Sequence, residues 1–130
     1  MKKLQHEIRV LNSMHGIVPR IDNNQVVSED IIFTIADYYH LSYQDLVSTV
    51  RKVEVIKARR IAIYLIPELT NESLMNIGKI MGNRDHSTII YGYHKIKESL
   101  ETDRELCNTI EKLITIINQK GEYFHPAEQL

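Results

Sequence analysis

No run of apolar residues in this 130-residue chain approaches the roughly 18 that cross a bilayer, so neither a transmembrane helix nor a membrane partner is expected. The N-terminus Met1-Lys2-Lys3-Leu4-Gln5-His6-Glu7-Ile8-Arg9 starts basic, but Glu7 and Arg9 interrupt what would be the apolar core of an export signal. A single cysteine, Cys107, excludes an internal disulfide and fits a reducing, cytoplasmic compartment. It falls within a helical pattern, as a buried structural thiol would.

Catalytic signatures are equally scarce. There is no G-x-x-x-x-G-K-[ST] run, so neither a P-loop nor a bound nucleotide is expected. The histidines at 6, 15, 40, 86, 94 and 125 form no H-E-x-x-H, and one cysteine gives no zinc-site spacing. Asp85, His86 and Ser87 are adjacent, which on a helix points them about 100° apart and rules out a serial proton relay. No enzyme activity, metal or cofactor is therefore expected.

What is present is an ordinary one-domain composition, 43% apolar and 25% charged, with a net charge of −1. The charge is unevenly placed. Residues 48–97 hold nine basic residues against four acids, a net of +5, which leaves −6 for the rest. A basic centre between acidic ends suits a localised phosphate-binding face.

No segment alternates apolar and polar residues, so the fold class expected is all-α, a helical bundle. Leu4, Ile8 and Leu11 mark a short helix over 3–14, ended by Gly16, with Pro19 and Asp22-Asn23-Asn24 as a linker. Ser28 reads as the N-cap of a second helix, with Glu29 and Asp30 in its first turn and Ile31, Ile32, Ile35 and Tyr39 as its stripe. Residues 42–46 read as a short capped helix. Ser48 to Lys57, with Val53, Val55 and Ile56, reads as an extended basic loop. A helix over 58–69 contains Pro67, which predicts a kink or an early end near Ile66. Ser73 caps a helix over 74–81 with Leu74, Ile77 and Met81 turned inward. The last helix runs from about Asp103 to Gln119 on Leu106, Ile110, Leu113 and Ile117, and Gly121 ends it. This divides the chain into a head (1–25), a domain (26–120) and a tail (121–130).

The stretch Gly82-Asn83-Arg84-Asp85-His86-Ser87-Thr88-Ile89-Ile90 joins a turn that can use positive φ to short polar residues and then to a helical stripe of Ile89, Tyr93, Ile96 and Leu100. Asp85 is placed to cap that helix, leaving His86, Ser87 and Thr88 in its exposed first turn. Preceded by the 74–81 helix, this is a helix-turn-helix, and short donors and acceptors at its second helix suit base edges in a major groove.

Arg60-Ile61-Ala62-Ile63-Tyr64-Leu65, Glu68-Leu69-Thr70, Ser73-Leu74, Ile77-Gly78, Gly82 to Thr88 and Lys95-Ile96 together resemble the C-terminal DNA-binding domain of the bacterial replication initiator DnaA. The specific part is G-[GN]-R-D-H-[ST]-T with a Lys-Ile pair seven residues after the last Thr. The resemblance extends from about Ile31 to Ile117, and nothing in 1–25 or 121–130 matches. The family's ATPase module and oligomerisation domain have no counterpart in this sequence.

The resemblance implies a Trp-repressor-like helical architecture that binds a short, asymmetric, partly A·T-rich duplex site as a monomer. By position, Asp85, His86, Ser87 and Thr88 would contact bases or nearby phosphates, Arg59 would read a base and Arg51 the minor groove. Lys57 and Lys95 would hold phosphates, and Leu74 and Met75 would lie beside thymine methyls. Arg60, where the family usually has glutamine, completes the expected DNA-binding set. Thr49, Val50 and Val53 replace basic residues of the family's loop, Glu54 adds an acid, Ala58 and Met75 replace prolines, and Ser87 replaces threonine. Fewer phosphate contacts predict weaker binding or an altered preference. The expected function is sequence-specific binding of double-stranded DNA at DnaA-box-like sites, in replication control or transcription, without ATPase activity. The alternatives are a protein-interaction module for DnaA or a replication regulator, and an isolated piece of a larger initiator.

Overall fold

The structure, a computed structural model, describes residues 26–123, with side chains as far as Gln119. The helix expected over 3–14, its linker and residues 124–130 lie outside the described residues. Within them the secondary structure is entirely helical: α1 (Ser28–Tyr38), α2 (Tyr43–Val47), α3 (Val53–Leu69), α4 (Leu74–Ile80), α5 (His86–Ser99) and α6 (Arg104–Tyr123). The chain divides into two compact units, Ser28–Glu98 and one whose described residues are 26–27 and 99–123.

In the Ser28–Glu98 unit, α3 is the axle. Ala58, Ile61, Ala62, Ile63, Tyr64, Leu65 and Ile66 are all buried, so this helix is apolar around nearly its whole circumference over two turns. Its neighbours are α1, α2 and α4, which bring Ile31, Ile32 and Ile35, Leu46, and Ile77 respectively into the core. Each such side chain removed from water is worth about 1.5–3 kcal/mol. On the α5 side, Gly92 sits against Ile63 and the Arg60 stem, and Tyr93 stacks on Tyr64 and donates to the Glu68 carboxylate.

The helix ends follow local chemistry. The Ser42 hydroxyl accepts from the Asp45 amide while the Asp45 carboxylate accepts from the Ser42 amide, a closed capping box for the short α2. Ser73 caps α4 by accepting from the Asn76 amide at 3.1 Å. α1 closes with His40 at φ 59°, the Leu41 amide bonding to Ala36 and the His40 amide to Asp37, a Schellman termination with histidine where glycine is usual.

Several sequence expectations need correction. Val53 to Lys57 is the first part of α3 and not loop, because burial of Val55 and Ala58 outweighs the modest helix cost of β-branched residues. The loop shrinks to 48–52. Pro67 does not stop α3 at Ile66. It forgoes one helical bond, that of its own missing N–H, without ending the helix, and Thr70 closes the helix by donating both amide and hydroxyl to the Ile66 carbonyl. Ser28 is the first helical residue of α1 rather than its cap, and its hydroxyl donates to Glu72. Leu74 is half exposed, so only Ile77 and Met81 of the three residues expected to turn inward do so.

In the other unit, Ser99 accepts from the Thr102 and Asp103 amides, and Asp103 then caps α6 through the Leu106 amide. Leu106, Ile110, Leu113, Ile114 and Ile117 are buried along one face, with Cys107 beside them. The helix passes through Gly121 to Tyr123.

The turn between α4 and α5 uses the left-handed region at both Gly82 (φ 87°) and Asn83 (φ 61°), and a Cβ on Gly82 would lie 2.0 Å from the Val47 carbonyl oxygen. Gly82→Ala therefore combines backbone strain with a clash against backbone. It should lower the unfolding free energy by at least about 2 kcal/mol, read from the urea midpoint.

Candidate nucleic-acid interface

Two arginines fix the loop that follows α2. Arg59, on α3, is only 7% exposed. Its Nε donates to the Leu46 carbonyl at 2.7 Å, and its Nη2 to the carbonyls of Asp45 (3.0 Å), Ser48 (3.0 Å) and Val50 (2.9 Å). Arg84, in the helix-turn-helix turn, reaches the same strip of backbone. Its Nη2 donates to Ser48 at 2.6 Å, and its Nη1 to Met81 and more distantly to Val47. None of these bonds goes to a carboxylate. The last carbonyls of α2, which lack intrahelical partners, take up both cations. Burial lowers both guanidinium pKa values, with Arg84 and then Arg51 adding to the effect on Arg59.

This geometry revises the role of Arg59. The expectation that it reads a base requires a guanidinium directed outward, and here it is directed into the loop. Arg59 is a clamp on residues 45–50. Arg51, by contrast, is exposed on that loop, and its charge is felt at Arg59.

The start of α5 is built by Asp85. Its carboxylate accepts from the Thr88 amide at 3.0 Å and the Ser87 hydroxyl at 2.9 Å, as expected of an N-cap. Those bonds, the Thr88 amide foremost, hold its carboxyl below the ordinary 3.8. His86, Ser87 and Thr88 are all exposed on this capped first turn. Leu74 (40% exposed) and Met75 (68%) begin α4, with no core to cover them.

Beside this turn lies a cationic strip. The Arg60 guanidinium stands 5.4 Å from the centroid of the Tyr91 ring and the Lys95 ammonium 5.8 Å from it, so α3 and α5 contribute to one surface. Lys57 is exposed one turn before Arg60 on α3. The structure thus joins Arg60 to Lys95, and Asp85 to Ser87 and Thr88. Among the described residues no hydrogen bond or ring contact links Arg51, Lys57, Leu74 or Met75 to these groups.

Sequence reasoning passed over two residues here. Arg84 was legible only as part of a turn, since nothing local says which backbone a long side chain will reach. Tyr91 carries a readable signal: it lies three residues after Thr88 and four before Lys95, on one helical face. Among the described residues no cluster of His, Cys, Asp and Glu is placed to hold a metal ion, and no helix is long and apolar enough to cross a membrane.

Comparison with known proteins gives a consistent picture. The family model described as the bacterial dnaA protein helix-turn-helix matches residues 28–96. The chain is 41% identical over 98 residues to the chromosomal replication initiator protein DnaA of Leifsonia xyli subsp. xyli (strain CTCB07), covering 75% of this chain and 21% of that protein. It is 43% identical over 92 residues to the DnaA of Oenococcus oeni (strain ATCC BAA-331 / PSU-1), covering 71% and 20%. Against the DnaA of Clavibacter sepedonicus it is 40% identical over 102 residues, covering 78% and 21%. The chain therefore spans about a fifth of the length of these relatives.

Two outcomes follow from the geometry. Arg59→Ala takes the donor from the Leu46 and Val50 carbonyls, whereas Ser48 keeps Arg84 and Asp45 keeps the Ser48 hydroxyl; it should lower stability by about 3 kcal/mol in chemical denaturation, with Arg59→Lys intermediate because an ammonium lacks the fork. Asp85 binds its proton less tightly folded than unfolded, so its stabilisation is present above pH 3.8 and lost as pH falls below it. The stability gap between the wild-type chain and Asp85→Asn should accordingly narrow as denaturation curves are repeated at progressively lower pH through that value.

Proposed function

The chain belongs to the family of bacterial DnaA helix-turn-helix domains, and from that premise we propose that it binds double-stranded DNA at DnaA-box-like sites, in the control of replication initiation or of transcription, without hydrolysing a nucleotide. One observation supports this most directly. A capped helix start presents His86, Ser87 and Thr88 to solvent beside cations that have no carboxylate partner among the described residues.

In this reading α5 enters the major groove by its N-terminus. His86, Ser87 and Thr88 offer short donors and acceptors to base edges. Asp85, whose carboxylate already holds the first turn, retains acceptor capacity for a cytosine amino group. Leu74 and Met75 face thymine methyls. Arg51 reaches the minor groove from the loop, while Lys57, Arg60 and Lys95 lie on phosphates and set register. Arg59 serves indirectly, by holding the loop from which Arg51 projects. Binding of this kind needs no metal or cofactor.

A second reading concerns a protein partner, the initiator itself or one of its regulators. Its support is Phe33, exposed on α1 and packed on Tyr43 with ring centroids 4.7 Å apart. Glu29, Asp30 and Asp37 are exposed on the same helix, which carries no basic residue. Duplex DNA has no use for such a surface, so the two readings occupy different residues and are compatible.

Fluorescence anisotropy against a DnaA-box duplex and a scrambled duplex at the same salt tests the first reading. The box should bind at least tenfold tighter, and His86→Ala should remove most of that ratio, as one base contact is worth about 1–3 kcal/mol. Arg51→Ala and Lys95→Ala should each reduce the slope of log K against log salt by about 0.9. Equal binding to both duplexes would overturn sequence-specific recognition.

A further inference from the structure

Tyr91 is a large aromatic, 56% exposed, in the middle of a polar helix face. Its direction is set by its neighbours: Ile89 and Gly92 are buried, and Gly92 lies against Ile63 and Arg60 of α3. With those positions turned inward, residue 91 must turn outward. Thr88, Tyr91 and Lys95, three and four residues apart, then form one stripe. The Arg60 and Lys95 cations both stand over the ring, at 5.4 Å and 5.8 Å, and neither pairs with a carboxylate among the described residues.

Scattered exposed aromatics are ordinary and need no explanation. This one is ordered between two like charges that repel each other, on the face that also carries Thr88. Burial does not account for it, since more than half of the residue is exposed. Helical side chains lean toward the N-terminus of their helix and cover the turn before their own Cα. Tyr91 therefore leans over the Ser87–Thr88 turn, and Lys95 in the same way leans over Tyr91, as its position above the ring shows. With cations over the ring, its edge and hydroxyl are left to face a groove.

Building on the DNA-binding reading above, we propose that Tyr91 is a specificity-determining base contact, its ring edge set against a thymine methyl next to the base pair faced by Thr88. Thymine is the base of choice because its 5-methyl is the apolar group that a base pair shows in the major groove. Arg60 and Lys95, held by the ring, lie on the flanking phosphates, so that one side chain links base reading to backbone grip.

Uracil scanning tests this with the full chain. Each thymine of a tightly bound box duplex is replaced in turn by deoxyuridine, which removes only the methyl, and affinities are measured at fixed salt for wild type, Tyr91→Phe and Tyr91→Ala. One thymine should lose about fourfold in affinity with wild type and Tyr91→Phe, the worth of one buried methyl, and nothing with Tyr91→Ala. Thymines beside Leu74 and Met75 should respond alike in all three. Unchanged circular-dichroism midpoints should accompany this, because the side chain is exposed. The proposal is overturned if every methyl that matters to wild type matters equally to Tyr91→Ala. A wild-type chain that does not prefer the box over a scrambled duplex overturns the DNA-binding reading itself, and this inference with it.

Discussion

Two guanidinium groups converge on a single backbone carbonyl, that of Ser48, and the relation between the loop and the helix-turn-helix depends on that convergence. Arg59 comes to it from the axle helix α3 and Arg84 from the turn before α5. Each charge-assisted bond to a carbonyl contributes about 1.5–3 kcal/mol, and leaving the carbonyls or the cations unpaired would cost as much again. The mutual repulsion of two cations is tolerable because the end of α2 supplies several carbonyl dipoles and because an arginine spreads its charge over a planar fork. Gly82 completes the arrangement, since only a residue without a side chain lets the turn approach the Val47 carbonyl so closely.

From that constraint the functional geometry follows. The loop carrying Arg51 and the turn that starts α5 are tied to the same few atoms, so the spacing between the two is set by the fold itself. Asp85 then removes the remaining freedom at the start of α5 by occupying the Thr88 amide and the Ser87 hydroxyl. A site held in advance loses little entropy on binding, which matters most where electrostatic grip is modest. The shortened loop has threonine at 49 and valine at 50, and Val53 opens α3 directly after it, so in the proposed DNA-binding reading specificity rests more on the helix start than on accumulated phosphate contacts.

Much of this was readable from residue order. Helical periodicity and the caps at Ser42, Ser73 and Asp85 are local, governed by residues three or four apart, and the structure has them where the pattern puts them. The Gly82-Asn83 turn was legible because few residues accept positive φ. Val53 to Lys57 was misread because β-branched residues favour extended backbone in isolation, while burial against the rest of the unit decides their state. Leu74 was misread because position in a helical stripe does not reveal where the neighbouring helices stop. Arg59 was the largest revision. Its type and position fit a base contact, and only the three-dimensional path of residues 45–50, nine to fourteen positions away, shows that its guanidinium is already engaged. Residues that act through distant backbone leave no local pattern.

The central claim is that a capped, polar helix start, beside cations with no carboxylate partner among the described residues, reads duplex sequence. Selection of preferred ligands by the intact chain from a pool of random duplex DNA, at physiological salt, tests it most directly. The account predicts enrichment of one asymmetric motif short enough to be spanned by a single recognition helix and one loop arm. Recovery of the input distribution, with no motif enriched after repeated rounds, would contradict it.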